Sequence, residues 1–162
     1  MDKRMIVRAG LAMLLLWPVS SVAVLASPPS PEADRLIGVW LTESKDEVKI
    51  YKEAGKYFGK GVVTPKNKTR LDDKNPDEKL RSRRLADAMI LKDFEYLGKN
   101  RWGKGTIYDP NNGKTYKCTV TMKSQDEIKV RGFIGISLIG RTETWPRVST
   151  PAVGVRRHRM SF

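Results

Sequence analysis

One cysteine and one histidine are all that this 162-residue chain has of either residue. A lone Cys118 forbids an intramolecular disulfide. With His158 as the only imidazole, neither a zinc cluster nor a Ser-His-Asp or Cys-His arrangement can be assembled. No Gly-rich phosphate loop and no G-x-S-x-G elbow occurs. Asp73, Asn75 and Asp77 open like a calcium loop, but Pro76 interrupts it. Glu78 then stands where glycine is needed, and Arg84 where the bidentate glutamate belongs. The pairs Asp72-Asp73, Asp77-Glu78 and Asp126-Glu127 fall in loops or turns, where solvation accounts for them better than glycoside chemistry. The reading is therefore of a protein without catalytic residues, metal or cofactor.

Acids are also scarce, 18 against 31 Lys and Arg, for a formal net charge of +13. Uncharged stretches are short except for residues 9–26, densest at Leu11-Ala12-Met13-Leu14-Leu15-Leu16 and preceded by Lys3, Arg4 and Arg8. Val24-Leu25-Ala26 puts small or compact residues where a signal peptidase reads, so we expect cleavage after Ala26 and export to the periplasm, with secretion as the alternative. A retained anchor is disfavoured: 18 residues is near the lower limit for a span, and Pro18 and Ser20-Ser21 weaken the helix. No cysteine near the junction offers a lipid attachment point. Residues 27–35 form a Pro-rich leader, residues 36–148 the folded domain, and residues 149–162 a basic tail with Arg156, Arg157 and Arg159. Cleavage removes three bases and one acid, leaving a net charge of +11 on 136 residues. After export such a charge meets anionic headgroups, cell-wall polymers or acidic proteins rather than nucleic acid. Phe162 is placed like the last residue of an outer-membrane barrel, but strands this short and charged do not span a bilayer.

The domain reads as short strands separated by turn formers, at residues 38–42, 48–51, 56–63, 89–96, 101–108, 115–123, 127–133 and 140–147. Tyr116, Cys118, Val120 and Met122 alternate with Lys117, Thr119 and Thr121, so Cys118 is a small buried side chain on one face of a strand. Gly59 and Gly61 mark a bulge or a close backbone approach in the third strand. Residues 64–87 break the pattern as a lid or a surface excursion. One short helix is expected in it, with Asn75 as N-cap, Pro76 at the first helical position and Glu78 completing a capping box. Ile134-Gly135-Ile136-Ser137-Leu138-Ile139 is an apolar connection expected to pack inward or join a strand. The fold class is all-β, a small antiparallel barrel of about eight strands.

Gly38-Val39-Trp40, with an arginine near the end of the last strand, resembles the closure device of lipocalins and other calycin barrels. There a Trp plugs one end and an Arg stacks on its ring, a contact worth about 0.5–2 kcal/mol. Arg141 or Arg147 would fill that part, beside Gly38, Trp40 and Trp145. Several stretches further resemble an uncharacterised family of small exported proteins of Gram-negative bacteria, domain of unknown function 2147. They are Gly38-Val39-Trp40-Leu41-Thr42, Asn75-Pro76-Asp77 with Leu80-Arg81, Arg101-Trp102 through Gly113-Lys114-Thr115-Tyr116, Lys129-Val130-Arg131-Gly132 and Arg141-Thr142-Glu143-Thr144-Trp145. The resemblance implies a calycin-like barrel and export, and it supplies no catalytic residues. It also implies a hairpin disulfide in many relatives, with one cysteine where Phe58 stands here, and that bridge is lost in this chain.

The leading expectation is a barrel that binds a small apolar or amphipathic ligand, lined by Trp102, Tyr108, Tyr116 and Met122. The alternative is an envelope interaction protein whose Arg81-Ser82-Arg83-Arg84 segment and tail engage anionic polymers or a protein partner.

Overall fold

The computed structural model describes residues 31–148. The expected cleavage site, residues 27–30 of the Pro-rich leader and the basic tail lie outside these residues. The described residues form three 3-10 turns, η1 (Ala33–Leu36), η2 (Glu78–Leu80) and η3 (Leu85–Asp87). They also form eight strands: β1 (Gly38–Leu41), β2 (Glu47–Glu53), β3 (Lys56–Gly61), β4 (Met89–Tyr96), β5 (Arg101–Asp109), β6 (Lys114–Ser124), β7 (Glu127–Phe133) and β8 (Gly140–Pro146). They pair antiparallel in strict sequence order in one sheet that curls into a nearly closed barrel. The seam is narrow. One bridge, Trp40 to Arg147, and one hydrogen bond, from Val148 N–H to the Val39 carbonyl at 2.8 Å, join the first and last strands.

Period-two alternation builds the wall. Val48 and Ile50, Cys118, Val120 and Met122, and Ile128 and Val130 turn inward, while Lys49, Lys117, Lys123 and Lys129 stay in solvent. Cys118 is buried as expected, and burial pushes its thiol up to about 12. Gly59 sits at the expected irregularity, where the β3–β4 register shifts on both sides of it. An added Cβ there would lie 2.9 Å from Leu91 Cβ.

Strand direction gives the barrel two unlike ends. At one, η1 folds under the sheet with Ala33 and Leu36 buried. The Trp40 indole N–H donates to the Leu36 carbonyl at 3.0 Å. The Arg147 guanidinium stacks 4.0 Å from the centre of the Trp40 ring. Its N–H groups donate to the carbonyls of Ile37 (3.0 Å), Arg35 (2.8 Å) and Gln125 (2.7 Å). Of the two candidate arginines, Arg147 is the closing one. Arg141 sits at the other end of β8, exposed and paired to Glu43 at 2.7 Å. The reason is position along the chain: Arg141 lies at the start of β8, the end far from Trp40, whereas Arg147 directly follows β8 and is bridged to Trp40. The G-x-W pattern has its own explanation, because a Cβ on Gly38 would collide with Arg147 Nη1.

The excursion departs from expectation. Its central turn is the three-residue η2, not an α-helix, and its cap is Asp77, which accepts from Lys79 N–H at 3.0 Å. Asn75 is buried instead, its side-chain oxygen accepting from Asp77 N–H at 2.9 Å. The second turn, η3, buries Leu85 and Ala86, which no helical periodicity announced. Residues 134–139 depart too: Ile134, Ile136, Leu138 and Ile139 all face solvent.

Two measurements check the closure. Trp40→Ala should lower unfolding free energy by about 3–5 kcal/mol in chemical denaturation, the usual cost of deleting a buried large aromatic. Gly38→Ala should also destabilise, but by clearly less in an Arg147→Ala background. Equal penalties in both backgrounds would show that Gly38 is not there to make room for the guanidinium.

Candidate functional site

The other end of the barrel is hollow. A cavity of about 430 Å³ opens there, bounded by the β1–β2 turn, the excursion, the β5–β6 turn and the β7–β8 loop. Val48, Ile90, Leu85, Ala86 and Val130 form its apolar wall, with Trp145 also lining it. Small residues, Gly61, Ala86 and Gly132, are part of its lining, and the missing Cβ of Gly61 lets the backbone of Ala86 pack against β3. Polar groups ring the mouth, and two carboxylates stand out. Glu143 accepts from the Trp145 indole N–H at 2.9 Å and has Arg141 Nη2 at 3.5 Å. Asp46 accepts from Arg70 Nη1 at 2.9 Å, while its other oxygen is buried without a partner.

The mouth is held open by a pinned cover. Asp72, fully buried, accepts from Tyr108 OH (2.5 Å), Arg83 Nη2 (2.7 Å) and Asn75 Nδ2 (2.8 Å). Burial alone would raise the Asp72 pKa. The hydrogen bonds from Tyr108, Arg83 and Asn75 outweigh it and hold the carboxyl below its ordinary value. The same contact, added to burial, pushes the Tyr108 phenol up to about 12. Leu85 N–H donates to the Arg70 carbonyl at 2.8 Å, and Lys74 Nζ to the Asn111 carbonyl at 2.8 Å. At the β5–β6 turn, Gly113 has φ 70°, and an added Cβ would collide with the Lys74 carbonyl. The excursion is thus strapped to the barrel rim rather than free to swing.

Of the four residues expected to line a ligand site, the fold brings two to the cavity, Tyr108 and Tyr116. Trp102 and Met122 do not line it. Both are buried core side chains, Trp102 with its ring centre 5.1 Å from that of Tyr96 and 6.3 Å from that of Tyr57. They stand at the strand ends nearest η1, and a strand's face, unlike its open end, is what alternation reveals. Trp145, expected in the closure, is instead a cavity-lining residue. Sequence reasoning missed Leu85, Ala86, Asp46 and Glu143. The first pair follows no period, and the two acids look like any solvated carboxylate. The Arg81–Arg84 segment is not a free cationic patch: Arg81 pairs with Glu78 (3.1 Å), Arg83 with Asp72 (2.7 Å) and Arg84 with Asp87 (2.9 Å).

The comparisons follow this geometry. The family model described as "Uncharacterized protein conserved in bacteria (DUF2147)" matches residues 38–147, closure and cavity included. The chain belongs to this family. Among solved structures it is similar to protein HP1028 from Helicobacter pylori, described as belonging to the lipocalin family. The two are 26% identical with a TM-score of 0.65, over 71% of this chain and 84% of that one. A redesigned β-barrel aligns at 13% identity and a TM-score of 0.40, over 73% of this chain and 96% of that one. No curated protein matches. The observed strands and the HP1028 structure agree on a lipocalin-like barrel, an architecture compatible with ligand binding.

The Asp72 junction has a pH signature. Its pKa is depressed on folding, so its stabilisation is complete above the unfolded value and disappears as pH falls through the folded one. Asp72→Asn should therefore cost about 2 kcal/mol near neutrality, with the gap to the native protein closing below about pH 4. Thermal denaturation across pH checks this, and a gap that widens in acid would contradict it.

Proposed function

We propose that the protein binds a small apolar or amphipathic ligand in the mouth of its barrel, without catalysis. The cavity carries this reading. An eight-stranded barrel has room for packed side chains or for one small ligand. This one is packed at the Trp40 end and hollow at the other. About 430 Å³ lies within the range of small-molecule sites. An apolar wall with carboxylates at Asp46 and Glu143 and a guanidinium at Arg141 suits a ligand with an apolar body and a polar end. The absence of catalysis rests on chemistry: the thiol of Cys118 is sealed in the core, and the acids at the rim sit in turns or ion pairs.

We further propose that the barrel works in the periplasm after cleavage at Ala26. The support is the basic start, the apolar run of residues 9–26 and the compact residues at the junction. Among the described residues no helix is long and apolar enough to cross a membrane. The competing idea of a basic docking stripe at Arg81–Arg84 loses its main support, since all three arginines are ion-paired.

Native mass spectrometry of protein purified from the periplasm should show a co-purified mass. A neutral apolar dye such as N-phenyl-1-naphthylamine should bind and brighten. Val130→Trp, which places a large side chain on the inward face at the cavity, should weaken dye binding at least tenfold while leaving the β circular-dichroism spectrum intact. Failure of native protein to take up either the dye or a native ligand would refute the proposal.

A further inference from the structure

The β7–β8 connection carries the largest concentration of exposed aliphatic surface among the described residues. Ile134 is 67% exposed, Ile136 60%, Leu138 83% and Ile139 68%, all within six residues at the rim of the cavity. Isolated exposed leucines are ordinary, but four on one tip are not. The tip is also built rather than slack. Ile134 N–H donates to the Ile139 carbonyl at 3.2 Å. Arg131 reaches under it to donate to the carbonyls of Ser137 (2.6 Å) and Leu138 (3.2 Å). A strap of this kind fixes the loop with its aliphatic side chains largely in water, Ile136 and Leu138 beyond the cavity and Ile134 and Ile139 at its edge.

Charge specifies the solvent they fit. Exposed cations surround the same end. Lys66 bonds the Ser44 carbonyl and Lys74 the Asn111 carbonyl, both on the cavity rim, and Lys45 is exposed in the β1–β2 turn next to Ser44. Among the described residues, none of these three lysines has a carboxylate within ion-pair distance. Glu43, the exposed acid of the β1–β2 turn, is taken up by Arg141, and Asp46, Glu47, Asp109 and Glu143 are set back as half-buried groups. The outermost layer is therefore aliphatic at the tip, flanked by the unpaired lysines Lys45, Lys66 and Lys74, with Asp73 the exposed acid beside Lys74.

We propose that residues 134–139 insert into the interface of an anionic phospholipid bilayer, seating the mouth of the barrel on the lipid surface. A few inserted aliphatic side chains backed by lysines are the recognised means of peripheral attachment to acidic lipid. A second copy of the chain fits less well, because the two faces would bring lysine against lysine. A stable protein interface also needs about 800 Å² per partner, more than four side chains on a narrow tip offer. If the mouth cavity holds a ligand as proposed above, this seating lets an amphiphile pass between bilayer and barrel with little exposure to water. The docking itself does not depend on that reading.

The test uses the full chain with Leu138→Cys labelled by an environment-sensitive fluorophore. Cys118 is buried and its thiol is pushed up to about 12, so the label goes to the tip alone. A probe on the tip also reports the loop rather than the amino-terminal apolar run. Vesicles of phosphatidylglycerol with phosphatidylcholine should shift its emission to the blue. Phosphatidylcholine alone should do so at least tenfold less effectively, and high salt should reverse the shift. Adding Ile136→Asp and Ile139→Asp should weaken the response at least tenfold. The proposal fails if anionic vesicles leave the probe unmoved, or if the double substitution leaves the response intact. It fails equally if the blue shift grows with protein concentration in the absence of vesicles, which would identify a second copy as the occupant. Dye uptake by the cavity can be read in the same samples, so loss of either activity is seen separately.

Discussion

A single guanidinium holds the two ends of this chain's sheet together. Arg147 covers the Trp40 ring and its side chain ties three backbone segments together: the residues before β1, the β6–β7 turn and the end of β8. A meander of eight strands in sequence order needs some such device, because its first and last strands are remote in sequence and pair only when the sheet curls fully. Here direct pairing across the seam is one bridge and one hydrogen bond, too little to fix the closure alone. Burying an arginine costs desolvation, which lowers its pKa, and three carbonyl acceptors with an aromatic face offset that cost. The lack of a side chain at Gly38 belongs to the same arrangement, since the guanidinium occupies the space a Cβ would need.

Closure at one end permits a hollow at the other. Leu36, Tyr57, Phe94 and Trp102 fill the barrel near η1, and their burial removes large apolar side chains from water. Toward the mouth the inward positions change to glycine, alanine and valine, and the packing thins into the cavity. A cavity lined this way would relax inward if its rim were free to collapse. The Asp72 junction opposes that by fixing residues 62–88 to β5 through Tyr108, and Lys74 fixes them to the next turn. The excursion is better described as a structural rim than as a lid.

The strands were legible because alternation and turn chemistry are local: six of the eight expected strands agree with the observed ones to within a residue or so at either end. The excursion was not, because its order comes from contacts 36 residues apart, such as Tyr108 with Asp72, which leave no periodic trace. The sequence pieces that looked most distinctive nevertheless meet in space. Asn75 and Arg81 from one piece, and Tyr108 and Gly113 from another, form a single junction at the mouth. Their local reading as a helix cap and a plain hairpin turn was wrong about the cap and incomplete about the turn. Trp102 and Met122 failed as cavity residues for a different reason. Inward orientation follows from alternation, but depth along the barrel depends on which end opens, and no single strand encodes that.

The unexpected exposure of residues 134–139 follows from the same geometry. An apolar run between two strands ordinarily turns inward, since that is where apolar surface is stabilised. At the closed end, η1 provides such an inside. At the mouth, the rim junctions hold the barrel open, and the interior facing the β7–β8 loop is a cavity rather than a packed core. Folding the four aliphatic side chains into it would fill the cavity and collapse the distinction between the two ends. Arg131 instead bonds the carbonyls of Ser137 and Leu138, and so holds the loop at the rim, where Ile134 and Ile139 edge the cavity without filling it. The exposed tip and the empty mouth are therefore two aspects of one design: the side chains that would have plugged the barrel are presented to its surroundings.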